Sequence, residues 1–228
     1  MSLFPDRWPS PARRPLEGRY CRLEPLDPDR HGQSLFDAVS GLEAERLHRW
    51  LPDPVLASRL EFDGWLASRS ASVDPMYFAV IDRGTGRVEG RQSLMDVSTV
   101  HGSAEIGHIL WGPRMAGTRV ATEAFFLMAD HVFALGYRRY QWRCNARNVP
   151  SRRAAERFGY TFEGVFRQHM VLKGASRDTA WYSILDHEWP AHRTAFARWL
   201  DPENFDAEGR QRKRLSDLRE VPDAHAPR

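Results

Sequence analysis

The stretch from Arg114 to Thr122 contains the residue types that hold a phosphate group. It supplies a cation at Arg114, a glycine at Gly117 and hydroxyls at Thr118 and Thr122, where an amphipathic helix begins. The free amide groups and the positive dipole end of a helix N-terminus attract anions, and small residues let the backbone approach a phosphate closely. The stretch therefore predicts a phosphate or pyrophosphate site. The alternative is an ordinary helix start with an incidental arginine.

A second junction between a loop and a helix carries Ser151. A strand predicted for residues 139–144 leads into Asn148, and Pro150 lies in the first turn of a short helix that ends before Gly159. A serine hydroxyl at such a helix start can donate a proton in catalysis, or it can simply cap the helix. A pyrophosphate site at one junction and a hydroxyl at the next suit a coenzyme A acyltransferase.

Two candidate proton acceptors lie on the strand predicted for residues 104–111. Glu105 has apolar neighbours, and burial among apolar groups raises the pKa of a carboxyl toward the range of a general base. A structural or substrate-positioning carboxylate is the alternative interpretation of Glu105. His108 is the second candidate because histidine titrates near neutral pH, although a lone histidine on an apolar strand is usually just packed.

Hydrophobic periodicity predicts a mixed fold around these residues. The expected order is a strand, helices, three meandering strands, a helix, a strand, a helix and two strands. The clearest helix spans residues 118–135 and is followed by Gly136 at its C-terminal end. The last two strands, 162–172 and 179–185, form an expected antiparallel pair that turns at Lys173-Gly174.

Composition limits the classes of protein to consider. The chain has 228 residues, of which 42% are apolar and 28% charged, as in a soluble single domain. No apolar run is long enough for a bilayer span, and proline and charge replace the apolar core of a signal peptide, so we expect a cytoplasmic protein. The net charge is only +3 and dispersed, which argues against nucleic-acid binding. The nine histidines show no pair at metal-ligand spacing with acidic partners, so no metal is expected.

The order of the motifs resembles the GNAT family, the Gcn5-related N-acetyltransferases, and most closely its ribosomal-protein-N-acetyltransferase-like subgroup. Arg114 and Gly117 match the first two fixed positions of the family's pyrophosphate loop, and residues 121–124 resemble the start of the subgroup's long helix. The likeness covers roughly residues 18–190. Its other marks are Ala104-Glu105-Ile106-Gly107, Asn148-x-x-Ser151-Arg152-Arg153, Phe158-Gly159-Tyr160, Glu163-Gly164-x-x-Arg167, Lys173-Gly174, Asp178-Thr179 and Glu188-Trp189.

The resemblance implies the mixed α/β (α+β) GNAT fold, a twisted, mostly antiparallel sheet with helices on both faces. The domain would span residues 18–190, after an extended N-terminal arm (1–17) and before a helical and polar C-terminal extension (191–228). The resemblance also implies acetyl-CoA as the cofactor, with the pantetheine arm held where the strand ending at Leu110-Trp111 separates from the next strand. The implied cofactor-binding residues are Leu110, Trp111, Arg114, Gly117, Thr118, Arg119, Val120, Ala121, Thr122, Asn148, Ser151 and Arg153.

One position departs from the family pattern, because Arg119 stands where the second glycine is usual. The amide of Arg119 can still donate to a phosphate if the side chain points outward. The side chain can instead add a charge-assisted contact to a phosphate of the cofactor. The third interpretation is that it crowds the pyrophosphate and weakens binding.

The activity that the resemblance implies is acetyl transfer to a primary amine. Ser151 would donate a proton to the thiolate, and Glu105 lies where the wider family has a catalytic glutamate, with His108 as the other candidate base. The acceptor is either a protein N-terminal amine or a small-molecule amine, and homodimer formation is left open. The alternatives are a non-catalytic CoA-binding regulator and an enzyme with a longer acyl-CoA donor. A closed acceptor pocket would be lined by aromatic residues such as Trp50, Trp65, Phe78 and Trp181.

Overall fold

An eight-stranded sheet organises the chain, and the computed structural model describes residues 4–56 and 58–219. The strands in chain order are β1 (Leu16–Glu17), β2 (Cys21–Pro25), β3 (Met76–Asp82), β4 (Val88–Ser98), β5 (Ser103–Trp111), β6 (Arg139–Asn145), β7 (Thr161–Leu172) and β8 (Ala175–Leu185). Their order in the sheet is β1-β2-β3-β4-β5-β6-β8-β7. The β5–β6 pair is parallel and the other neighbours are antiparallel.

Helices cover both faces of this sheet. They are α1 (Pro28–Val39), α2 (Ala44–His48), α3 (Arg59–Ser70), α4 (Arg119–Ala134), α5 (Val149–Phe158) and α6 (Trp189–Trp199), followed by the 3₁₀ turns Pro202–Asn204 and Leu215–Leu218. The larger core packs α4, α5 and α6 on one face, and a smaller core packs α1 and α3 on the other. The predicted fold class is confirmed.

Strand alternation decides which side chains reach which face. In β6, Tyr140, Trp142 and Cys144 belong to the core under α4. The residues between them, Gln141 and Arg143, therefore point to the opposite face. We call it the acceptor face, because the two candidate bases lie on it. This alternation places the candidate hydroxyl and the candidate bases on different sides of the sheet.

The predicted elements match the observed ones with shifted ends. The helix predicted for 118–135 is α4, and Gly136 after it has a left-handed φ of 81°. The two-residue strand β1 was not predicted from the sequence. The last strand, β8, starts at Ala175, which is earlier than the predicted start at residue 179. None of the described helices is long and apolar enough to cross a bilayer.

Residues on both sides of the predicted 18–190 unit pack against its core. Trp8 is buried, and its Nε1 donates a hydrogen bond to the carbonyl of Gly136 at 2.7 Å. After β8, Trp199, Phe205 and Leu215 join the core under α4. The boundaries at 17 and 190 stay predictions, and residues 1–3 and 220–228 of the predicted arm and extension lie outside the described residues.

Candidate active site

Strands β5 and β6 separate in the middle of the sheet. Their parallel pairing runs from Ser103↔Arg139 to Ile106↔Trp142 and stops there, although β5 continues to Trp111. Beyond Ile106, β5 pairs only with β4, and the end of β6 pairs only with β8. The edge of β5 from residue 107 to residue 111 that faces β6 therefore has no strand partner among the described residues.

A β-bulge in β5 accompanies this separation. Between the pairs Arg91↔Leu110 and Ser93↔Gly107, β5 has one more residue than β4. The extra residue places His108 at a left-handed φ of 46°. Bulges bend a strand and increase its twist, which explains why β5 turns away from β6 here.

The N-terminus of α4 presents free amide groups. Thr118 precedes the helix without a side-chain cap, and its hydroxyl donates back to the Met115 carbonyl at 2.7 Å. The amides at positions 119–121 have no hydrogen-bond partner in the part of the chain that the structure describes. Gly117 has a φ of 81° and nothing within 4 Å of the place where a Cβ would lie. This open turn of unpaired N–H groups, which we call the amide cradle, fits a pyrophosphate.

The side chains around the amide cradle are mostly occupied elsewhere. Arg114 donates through Nε to both carboxylate oxygens of Glu89, at 2.9 and 3.0 Å. The Arg119 guanidinium lies over two aromatic rings, those of Tyr20 and Phe205. Thr122 is buried, and its hydroxyl donates to the Thr118 carbonyl at 3.1 Å. Its amide bonds the same carbonyl, so the structure does not place Thr122 in the cradle, because it lies one turn into the helix.

Ser151 stands beside the point where β5 and β6 part. Trp142, the last β6 residue paired with β5, donates its Nε1 proton to the Ser151 Oγ at 3.0 Å. Asn148 caps α5 by accepting from the Ser151 amide at 3.2 Å, so the capping role weighed for Ser151 belongs to Asn148. Arg153 is exposed on the first turns of α5.

Glu105 lies on the acceptor face, and its side chain is buried, with 4% of its surface exposed. Its Oε2 forms an ion pair with Nε of Arg143 at 2.5 Å. Burial, the largest influence, raises the pKa of Glu105 from 4.5 to about 7, against the opposing charge of Arg143. A carboxyl with this pKa is half ionised near neutral pH, as a general base requires.

His108 has the opposite electrostatic character. Burial and then the charge of Arg91 lower the pKa of His108 from 6.5 to about 4. Its Nδ1 is buried without a hydrogen-bond partner, and its ring lies 5.5 Å from that of Tyr77. His108 therefore remains neutral at neutral pH and is a weaker base than Glu105.

A buried cluster of charges on the same face was missed by the sequence analysis. Arg91 is fully buried and donates to Asp53 at 2.8 Å and to the His108 carbonyl at 2.5 Å. Trp65 Nε1 and Arg69 both donate to the other oxygen of Asp53 at 3.0 Å. No signal in the sequence marks Arg91 as buried, because its strand, VEGRQSLMDVS, is rich in polar residues.

The four predicted acceptor-site aromatics do not come together. Trp65 and Trp181 lie on the acceptor face, where their rings stack under Arg91 (4.7 Å) and Arg143 (4.8 Å) respectively. Phe78 is buried in the opposite core, because its neighbour in β3, Tyr77, takes the acceptor side. Trp50 follows α2, with Arg49 over its ring at 4.9 Å.

Two surface cavities lie away from this region. One of about 350 Å³ is lined by Arg138 and Asp186, and one of about 460 Å³ by Arg13 and Asp27. Neither contains a candidate site residue. The described residues include no group of three His, Cys, Asp or Glu side chains that could hold a metal ion.

Comparisons with known proteins agree with this fold. Residues 22–161 match the family described as the Acetyltransferase (GNAT) domain, so the chain belongs to the GNAT family. Membership implies acetyl transfer from acetyl-CoA, and it agrees with the resemblance seen in the sequence. A search of curated proteins gives no match.

Several solved structures are similar to this chain. A GCN5-related N-acetyltransferase from Brucella melitensis is 53% identical, with a TM-score of 0.93, over 95% of this chain and 98% of that one. A GNAT-family protein from Chromobacterium violaceum is 37% identical, with a TM-score of 0.76, over 84% and 96%. A ribosomal-protein-serine acetyltransferase-like protein from Vibrio cholerae shares the fold at 18% identity, with a TM-score of 0.63, over 75% and 97%.

Proposed function

We propose that this protein transfers the acetyl group of acetyl-CoA to a primary amine. The observation that carries the proposal is the opening between β5 and β6 beyond Ile106. The amide cradle of α4 and the Ser151 hydroxyl lie toward the α4 core, whereas Glu105 lies on the acceptor face. The two faces can therefore receive two different reactants.

The residues present fit coenzyme A. Amides 119–121 suit the pyrophosphate, and the unpaired edge of β5 around Leu110 and Trp111 suits the amide groups of the pantetheine arm. Exposed Arg153 adds a cation for a phosphate, and the Asn148 amide nitrogen is available for a further hydrogen bond. When bound, acetyl-CoA supplies an activated thioester that an amine can attack.

Ser151 and Glu105 take separate proton roles. The Ser151 oxygen accepts the Trp142 proton, and the Ser151 hydroxyl also lies within hydrogen-bond reach of the Cys144 thiol. A leaving thiolate competes with Cys144 for the hydroxyl proton, which Ser151 donates to it. Glu105 accepts the proton that a protonated amine must lose before it can attack. The fixed positions of the two groups contribute through proximity as well as proton transfer.

The subgroup resemblance and the exposure of the neighbouring hairpin support a protein N-terminal amine as the first class of acceptor. A protein N-terminal amine requires an open approach to Glu105, and the outer strand β7 beside Trp181 is largely exposed. A small amine is the second class of acceptor, because Trp65 and Trp181 offer rings on the same face. Both classes contain the primary amine that the chemistry needs.

The proposal is tested by mass spectrometry of products from acetyl-CoA with a panel of peptides and small amines. We expect acetylated product that depends on enzyme and on one class of amine. Tight CoA binding without product from any amine would favour a non-catalytic regulator. Faster turnover with a longer acyl-CoA in direct competition would show a different donor.

A further inference from the structure

The Arg119 side chain is held between two aromatic rings. Its guanidinium carbon lies 4.8 Å from the centre of the Tyr20 ring and 4.7 Å from that of Phe205. Cation–π contacts are favourable within about 6 Å of a ring centre. We call the two rings the aromatic clamp. Arg119 is thus in contact with both rings, and no atom of it lies within 4 Å of the Cβ position of Gly117.

Tyr20 is fixed independently of Arg119. The turn that carries it donates three amide protons to the buried carboxylate of Glu123, from Arg19 (2.8 Å), Tyr20 (2.6 Å) and Cys21 (2.7 Å). The Tyr20 hydroxyl donates to the Leu200 carbonyl at 2.9 Å. One side of the clamp is therefore tied both to α4 and to the end of α6.

Phe205 belongs to the C-terminal segment, residues 201–219, which lies outside the matched family domain. Its ring packs edge-on against Trp199 at 5.1 Å, and its side chain is buried. Trp199, the last residue of α6, donates to Gln211 at 2.8 Å, which ties the segment to α6. The segment contacts the first turn of α4 through Phe205 and Arg119. Beside it, Arg157 of α5 lies over the Trp199 ring at 4.9 Å and donates to Thr122 of α4 at 3.2 Å.

We propose that the C-terminal segment is a positioning element for the cofactor site, acting through Phe205 on Arg119. The clamp keeps the long arginine side chain off the open space above Gly117 and orders the helix turn whose amides form the cradle. A cradle ordered before binding loses less conformational entropy when it takes a pyrophosphate. This inference rests on the proposed CoA-dependent function.

The test measures the Kd of CoA by calorimetry for four variants of the full chain. Phe205→Leu keeps apolar volume but removes one ring, and it should raise the Kd by about fivefold, since one cation–π contact is lost. Arg119→Gly removes the guanidinium that the clamp holds, and its own Kd serves as the reference for the double variant. The double variant should match Arg119→Gly, because without the arginine the ring has nothing to hold.

Phe133→Leu is the matched control. Phe133 packs against Trp189 at 4.9 Å at the far end of α4, so this variant loosens the same helix without touching the clamp. It should lower the melting temperature about as much as Phe205→Leu while leaving the Kd unchanged. In steady state, Phe205→Leu should raise KM for acetyl-CoA and leave kcat unchanged.

The outcomes separate this inference from the proposed function. If the parent protein gives no heat with CoA, the proposed function fails. If the parent binds and Phe205→Leu binds equally well or more tightly, the positioning role is wrong. The positioning role would also be wrong if Phe205→Leu lost the same affinity in the Arg119→Gly background as in the parent, since the effect would not pass through the arginine.

Discussion

Trp142 donates its Nε1 proton to the hydroxyl oxygen of Ser151 at 3.0 Å, at the residue where the central strands separate. An indole N–H can only donate, so the Ser151 oxygen is the acceptor in this bond, and its own proton can go to the neighbouring Cys144 thiol of β6 or to a ligand. The oxygen of Ser151 is thus held in place by two side chains of β6.

We predict that Ser151→Ala lowers kcat by about one hundredfold and leaves the Kd of CoA nearly unchanged, because positioned proton donors contribute roughly 10²–10⁴ in rate. Trp142→Phe should lower kcat by a smaller factor, since it removes only the orienting bond. Stopped assays of thiol release and calorimetry give the two quantities. Equal kcat for Ser151→Ala and the parent would remove this serine from the mechanism.

The raised pKa of Glu105 predicts an acidic limb in the pH profile. Below pH 7 the carboxyl is protonated and cannot accept a proton, so kcat/KM should fall about tenfold per pH unit below about pH 7. Glu105→Gln should abolish most activity and this limb, whereas His108→Gln should keep the limb because His108 has a pKa of about 4. A limb that persists in Glu105→Gln would assign the base elsewhere.

Asp96 offers a way to shift that limb. Its carboxylate pairs with Arg143 and raises the pKa of Glu105. Asp96→Asn removes this negative charge and leaves the Arg143 guanidinium paired with Glu105 alone. The pKa of Glu105 should therefore fall, and the acidic limb should move down by about half a pH unit. Asparagine tolerates the left-handed φ of 48° found at this position. Asp130→Asn, which removes the partner of Arg193 outside the acceptor face, is the control and should not move the limb.

A substitution at Gly117 tests whether the amide cradle binds the cofactor. Alanine in its left-handed conformation costs about 1–2 kcal/mol, so Gly117→Ala should distort the turn and raise the Kd of CoA about tenfold. Gly64→Ala is the matched control, because Gly64 lies inside α3 with open space around it. That change should stabilise the protein by about 0.5–1 kcal/mol in urea unfolding and leave the Kd unchanged. A normal Kd for Gly117→Ala would remove this turn from cofactor binding.

A substitution at Asp53 tests how much the buried charge cluster contributes to the stability of the fold. Burial raises the pKa of Asp53, but Arg91, Trp65 and Arg69 outweigh this and hold it below its usual value. Asp53→Ala leaves the fully buried Arg91 without its counter-ion, which should cost about 3–5 kcal/mol in urea unfolding. Asp63→Ala, which breaks a half-exposed pair with Arg59, should cost less than about 0.5 kcal/mol. Similar losses for the two variants would contradict the role assigned to the buried pair.

Local signals were sufficient to predict the fold class and the helix starts that frame the cofactor site. Pro150 and Gly159, at the two ends of α5, and the hydrophobic periodicity of α4 identified these helices. The order of the motifs identified the family. The charge cluster around Arg91 was not predictable, because the partners of this β4 residue come from α3, β5 and the loop at Asp53. Phe78 was placed on the wrong face because alternation gives two faces without saying which one meets the acceptor.

The position of Arg119 also needed the structure. Its guanidinium lies over the ring of Phe205, which is 86 residues later in the chain. The most direct test of the whole account is a crystal structure of the protein with acetyl-CoA. We predict a pyrophosphate on amides 119–121 and the sulfur within hydrogen-bond reach of Ser151 Oγ, between β5 and β6. Acetyl-CoA bound elsewhere, with these two strands still open and empty, would contradict the account.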